Sequence, residues 1–143
     1  MTPGAVQAAI VTWWDGNGLD SIVTGGLYMV SAVPNATLPY VVLEEPVTQY
    51  ISTATTGEAE TEYSSAEAQF TLFHNVSQED AVTAMQAIKA LLDEVTPASF
   101  TMPSGVLLNL NVTSDFPVDS QEAGLYIRAL QISMTAYEDL SAA

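Results

Sequence analysis

Residues 124–137, Gly-Leu-Tyr-Ile-Arg-Ala-Leu-Gln-Ile-Ser-Met-Thr-Ala-Tyr, alternate with a period of two along their length, which is the pattern of a strand in a sheet. Tyr126, Arg128, Leu130, Ile132 and Met134 fall on one face, apolar apart from the arginine. Leu125, Ile127, Ala129, Gln131, Ser133 and Thr135 fall on the other. Arg128 therefore sits at the margin of a core-like face, in a chain with two Lys or Arg side chains against 17 Asp and Glu. Two readings of it are open, the first preferred. Either its guanidinium snorkels past Leu130 and Tyr126 to a carboxylate of its own subunit in the acidic segment 115–122, or it pairs with a neighbouring copy. Apolar residues on both faces of this strand also imply that one of the two sets is buried by something other than the chain's own helices.

A length of 143 residues suggests one domain, large enough to bury a real core without a disulfide or a metal. The chain has no cysteine, so thiol nucleophiles and thiolate metal sites are excluded. No apolar run reaches the roughly 18 residues of a membrane span, and Met-Thr-Pro-Gly-Ala-Val has no signal-peptide character. A soluble, unprocessed protein is expected. The formal net charge of −15 arises with only 13% charged residues and 48% hydrophobic ones, so neither a disordered chain nor a carboxylate-coated surface explains it. What is unusual is the scarcity of Lys and Arg. Nucleic-acid binding by phosphate neutralisation is therefore excluded, and DNA should be repelled.

Along the chain, Thr2 caps a helix over residues 3–14 whose stripe is Val6, Ala9, Ile10 and Trp13, stopped at Gly16-Asn17-Gly18. Residues 19–23 add a helical turn. Short strands follow at 27–32 and 38–45 around a Pro34-Asn35 turn. The segment 46–62, Thr- and Ser-rich, reads as a flexible long loop, too polar to pack; in an assembly its flanking strands would extend it as a long hairpin with Tyr50 and Ile51 as its apolar anchors. A strand over 66–74 and a helix from Ser77 to about Glu94 come next, the helix stripe being Ala81, Ala84, Met85, Ile88, Leu91, Leu92 and Val95. A strand over 106–113, with Leu108, Leu110 and Val112 alternating inward, and a loop over 114–123 lead to the last strand. Consecutive strands without crossover helices indicate an α+β fold: an antiparallel sheet with both helices on one face and a long hairpin loop, a single domain over 1–143.

Candidate sites for chemistry read as ordinary structure. Asp15-Gly16-Asn17-Gly18-Leu19-Asp20 has its glycine misplaced for an EF-hand and is a turn. His74 is the only histidine, so no imidazole zinc site can be built, and no Gly-x-Ser-x-Gly elbow accompanies it. Glu44-Glu45 and Glu58, Glu60, Glu62 are a solvated face rather than paired acids. The Asn-x-Ser/Thr matches at Asn35, Asn75 and Asn111 are chance. No catalytic, metal or cofactor residue is assigned, and a non-enzymatic assembly or binding domain is expected.

Four stretches taken in order resemble the tail-terminator, or tail-completion, family of long-tailed bacteriophages and gene transfer agents. They are Leu19, Ile22, Val23, Gly25, Gly26 and Tyr28; the run Leu38-Pro39-Tyr40-Val41-Val42-Leu43; the strand-helix unit from 68 to 93; and Gly124, Leu125, Tyr126, Arg128 and Leu130. The departures are the low basic content and the long Thr-rich segment. The resemblance implies a structural virion protein forming a homo-hexameric ring on the head-proximal end of the tail tube. Such a ring stops tube growth and docks the head connector or neck protein, while DNA passes without specific binding. It implies host cytoplasm before assembly, the head-tail junction of the virion after it, and no membrane partner. Tyr50, Ile51, Leu125, Ile127 and Arg128 are the residues expected at the subunit or tube interface. The rival reading is a dimeric small-molecule-binding module walled by Trp13, Trp14, Tyr28, Tyr40 and Phe70.

Overall fold

A computed structural model describes residues 1–56 and 59–140. Helix α1 spans Pro3–Gly16, its first turn closed by the Thr2 hydroxyl, which accepts from the Ala5 N–H at 3.2 Å. Asn17 ends it, donating from Nδ2 to the Trp13 carbonyl at 2.8 Å. A 3-10 turn, Leu19–Ser21, follows Gly18, whose φ of 62° suits glycine. The buried Trp14 donates its indole N–H to Asp20 Oδ1 at 2.8 Å, so the polar tip of this core side chain ties the turn to α1. Asp20, in the stretch read from sequence as a turn, thus serves as a structural acceptor.

Six strands form one sheet: β1 (Leu27–Met29), β2 (Tyr40–Leu43), β3 (Val47–Thr56), β4 (Ala59–His74), β5 (Val106–Val118) and β6 (Tyr126–Asp139), with α2 (Gln78–Asp93) between β4 and β5. The strand order is β1-β2-β4-β6-β5, and β3 pairs with β4 on the same side as β2. The fold is α+β and mostly antiparallel. One pair departs from expectation: β1 and β2 are parallel, Leu27 opposite Val41 and Met29 opposite Leu43. The chain between them is therefore a crossing connection rather than the hairpin expected at Pro34-Asn35. It is moored at Gly25, whose N–H donates to the Pro39 carbonyl at 2.8 Å and whose α-carbon lies so near the Thr37 carbonyl that a Cβ would collide with it.

The larger difference is in the polar segment expected as a loop over 46–62. Residues 47–56 are strand β3, and β4 begins at Ala59 rather than near 66. Polar composition hid both, because these strands bury little and are held by their backbone ladder, from Val47 opposite Glu67 to Thr56 opposite Ala59. Likewise β5 continues to Val118 through residues expected as a loop, since β6 pairs with it as far as Ile127.

β4 and β6 pair without a break from Thr61 opposite Asp139 to His74 opposite Tyr126. Facing residues share a side, so Ala66, Ala68, Phe70 and Leu72 stand beside Met134, Ile132, Leu130 and Arg128. Both helices cover this side. Val6, Ile10, Trp13 and Trp14 of α1 and Ala81, Met85, Ile88 and Leu92 of α2 join it in one buried cluster, with the Trp13 and Phe70 ring centroids 6.3 Å apart. In β5 a bulge between Leu107 and Asn109 shifts the alternation, so Leu107 is buried at 1% exposure while Leu108, expected inward, is 40% exposed.

Ile88→Ala should lower the unfolding free energy by about 2–5 kcal/mol in urea denaturation, because Ile88 is fully buried. Leu91→Ala, at a half-buried position, should cost about 1–2 kcal/mol. Gly25→Ala should be as damaging as the core truncation despite adding only a methyl group.

Candidate assembly surface

Two surfaces remain once the helices have covered one side of the sheet. Among the described residues the opposite side carries no helix. By register it presents Tyr28, Tyr40 and Val42, Phe73, Ile127, then Phe116 and Val118 across β1, β2, β4, β6 and β5. Tyr40 stacks on Phe73 at 5.0 Å between centroids and meets Tyr28 edge-on at 5.8 Å. This apolar end gives way along the strands to a polar middle. There Gln131 Nε2 donates to Gln69 Oε1 at 3.0 Å and the Thr71 hydroxyl donates to Glu44 at 3.3 Å. Of the residues singled out from sequence, Leu125 and Ile127 belong to the apolar end, both half-buried. The connection 30–38 and Leu125 border an open cleft of about 540 Å³ there, floored by Tyr40, Val42 and Phe73.

The second surface is β3. Val47, Tyr50 and Ile51 are 68%, 58% and 52% exposed, and a bulge between Tyr50 and Ser52 leaves Ile51 without a facing residue on β4. Tyr50 lies opposite Ser64 and Ile127 opposite Phe73, nine positions apart on β4, so roughly 30 Å separates the two apolar areas. The structure does not bring the sequence-derived interface residues into one patch.

Arg128 is on neither surface. It is on the helix-covered side, opposite Leu72 and Pro117, and its Nε donates to Asp115 Oδ1 at 2.7 Å. The two side chains are 16% and 21% exposed. A second bulge, between Val112 and Ser114, produces this pair: it moves Asp115 to the helix side, where uninterrupted alternation from Val112 would have placed Ser114 and Phe116. The partner is an acidic residue of the same subunit within 115–122, the first of the two sequence readings.

The remaining polar candidates are structural. His74 is buried, its Nδ1 accepting from the Val76 N–H at 3.2 Å. Glu62 accepts from the Ser64 hydroxyl at 3.4 Å, and Glu58 lies outside the described residues. Among the described residues no three His, Asp or Glu side chains are arranged to hold a metal ion. Of the five aromatic residues proposed as walls of a ligand site, Trp13, Trp14 and Phe70 are core, at 5%, 2% and 0% exposure. Tyr28 and Tyr40 line the open side. Sequence reasoning missed Phe73, Phe116 and Val118 as surface partners of Ile127; apolar residues at Phe73, Phe116, Val118 and Ile127, near the ends of the last three strands, were the available signal.

No protein-family model and no curated protein matches this chain. Among solved structures, a chain from the virion of a native gene transfer agent particle superposes with a TM-score of 0.62, covering 95% of this chain and 96% of that one at 19% identity. At that identity the likeness is one of fold, and it spans both chains almost completely.

Arg128→Met should leave the sheet intact and lower stability by about 1–3 kcal/mol, since Asp115 would keep a partly buried charge with no cation beside it. Asp115→Asn should cost a similar amount, and the double variant less than the sum, in a double-mutant cycle read by thermal or urea unfolding. Arg128→Lys should not restore the wild-type value, because an ammonium lacks the Nε–H that makes this contact.

Proposed function

We propose that this chain is a non-enzymatic structural virion protein that forms a six-membered ring at the head-proximal end of a phage-type tail tube. There it ends tube growth and offers the docking surface for the head connector. The observation that carries the reading is the fold likeness, over nearly the whole of both chains, to a component of a gene transfer agent virion. The four sequence stretches that resemble tail terminators supply the finer assignment to the end of the tube.

The surfaces support this role. A helix-free sheet side ending in Tyr40, Phe73, Ile127 and Phe116 offers a neighbour an apolar area with no chemistry attached to it. Tyr50 and Ile51, exposed on β3, are the anchors for the tube or for an adjacent subunit. A ring of six such chains would carry a formal charge of about −90, which suits a passage through which DNA slides without adhering. The rival reading as a dimeric small-molecule-binding module keeps only Tyr28 and Tyr40 of its proposed aromatic walls and an open cleft beside them. Native mass spectrometry of the chain assembled on tube ends separates the readings: six copies per end support the ring, and a free dimer holding a small molecule supports the rival.

The double variant Tyr50→Asp, Ile51→Asp should fold with a near-wild-type melting temperature, as both side chains are exposed. It should nonetheless yield overlong tubes or tails without heads in electron micrographs. Normal-length, head-joined tails from this variant would remove the anchoring role.

A further inference from the structure

We propose that the ring closes by antiparallel pairing of the outer edge of β5 in one protomer with the outer edge of β3 in the next. The proposal rests on the ring reading above and specifies its subunit contact. In the half of the sheet beyond β1 and β2 the order is β3-β4-β6-β5, and every neighbouring pair is antiparallel. β3 and β5 therefore run in opposite directions, with one outer edge each that no described strand covers. Copies related by rotation about an axis along the strands bring β5 of one beside β3 of the next in antiparallel orientation. Because the two edges differ, the contact repeats from copy to copy and can close into a ring.

The chemistry of the edges points the same way. Among 17 Asp and Glu, none falls in residues 47–56, VTQYISTATT, or in residues 106–114, VLLNLNVTS, and neither run holds Lys, Arg or Pro. The strands between them do carry charge: Glu60, Glu62 and Glu67 on β4, and Arg128, Glu138 and Asp139 on β6. A sheet whose edges stay in water usually protects them with charge or proline, because a bare edge is a template for another strand. Here charge is withheld from β3 and from the part of β5 level with it, up to Asn111, where like charges on two copies would oppose pairing; Asp115 and Pro117 of β5 lie beyond that part. The hydrogen-bonding groups of β3 are also placed for it. The Leu140 N–H donates to the Glu60 carbonyl at 2.8 Å, so the backbone of Glu60 is directed to β6. Thr55, opposite Glu60, and Thr53, two residues away, then direct their own N–H and C=O groups away from β4.

The absence of cysteine makes the contact testable by cross-linking. Gln49, Ser52 and Ala54 of β3 and Asn109 and Asn111 of β5 share the helix-free side and are exposed. Double variants combining Gln49→Cys, Ser52→Cys or Ala54→Cys with Asn109→Cys or Asn111→Cys would be oxidised in particles purified from producing cells. Within one protomer β3 and β5 are three strand spacings apart, roughly 14 Å, outside the ~7 Å Cα reach of a disulfide, so any bond formed joins two copies. The expected result is a non-reducing gel ladder running up to the full ring for at least one combination. In parallel, Thr53→Pro, which removes an outward donor and leaves the ladder to β4 in place, should fold and lose ring assembly. Particles that contain the chain but give no ladder across all six combinations overturn the edge pairing and leave the ring reading standing; so does a folded Thr53→Pro protein that assembles normally. Dimers alone, formed by a single-cysteine β3 variant, overturn it in favour of a two-fold contact between like edges. Absence of the chain from the particles overturns the ring reading, and this contact with it.

Discussion

The unbroken ladder between β4 and β6 is the constraint on which the rest of the molecule depends. Fourteen consecutive facing pairs, from Thr61 and Asp139 to His74 and Tyr126, lock two strands of about 50 Å in one register. A slip of a single residue would send Phe70, Leu72, Leu130 and Ile132 to the wrong side, so the helices fix the register as firmly as the backbone does. β2 and β3 then share one flank of β4 end to end, divided at the buried Pro46, which has no N–H to give to a ladder. β5 takes the far flank of β6.

Local irregularity decides what that frame presents. Each bulge in β5 reverses the inward and outward positions beyond it. The first buries Leu107 in place of Leu108; the second turns Asp115 inward beside Arg128. One of only two basic side chains in the protein is thereby spent on a contact inside the protomer, at the rim of the core. In a chain of net charge −15, an internal cation neutralises a carboxylate that would otherwise stand unpaired near apolar residues, and this contact gives the acidic segment before β6 a fixed point.

The outer surface follows from a shortage rather than an abundance. With so few cations, carboxylates cannot be offset by surface ion pairs, and their placement becomes the main electrostatic variable. In the two edge strands they are absent from β3 and from residues 106–114 of β5, whose one carboxylate, Asp115, is turned to Arg128. Apolar area is partitioned in the same way: one side of the sheet is sealed by α1 and α2, and the other keeps the aromatic group of Tyr28, Tyr40 and Phe73 beside Ile127.

Sequence alone determined the elements whose burial is written in a period. The stripes of α1 and α2 and the alternation of β6 specify one face each, so Ile10, Ile88 and Leu130 can be assigned to a core before any partner is known. It also placed Arg128 at the edge of that core and offered an acidic partner within 115–122 as the preferred of two readings; the folded sheet decided between them. It read β3 and the start of β4 as a loop that would extend as a hairpin only in an assembly, and it missed the end of β5, because those residues bury little and are strands by virtue of the ladder beside them. Nor could it reveal the parallel pairing of β1 with β2, which depends on where the connection is moored, or the bulges, which are single extra residues relative to a neighbour distant in sequence. The areas around Tyr50 and around Ile127, both expected at an interface, lie roughly 30 Å apart along β4. Side-chain periodicity is a local property, whereas register, strand direction and the identity of an exposed edge are relations between segments, and only the folded sheet sets them.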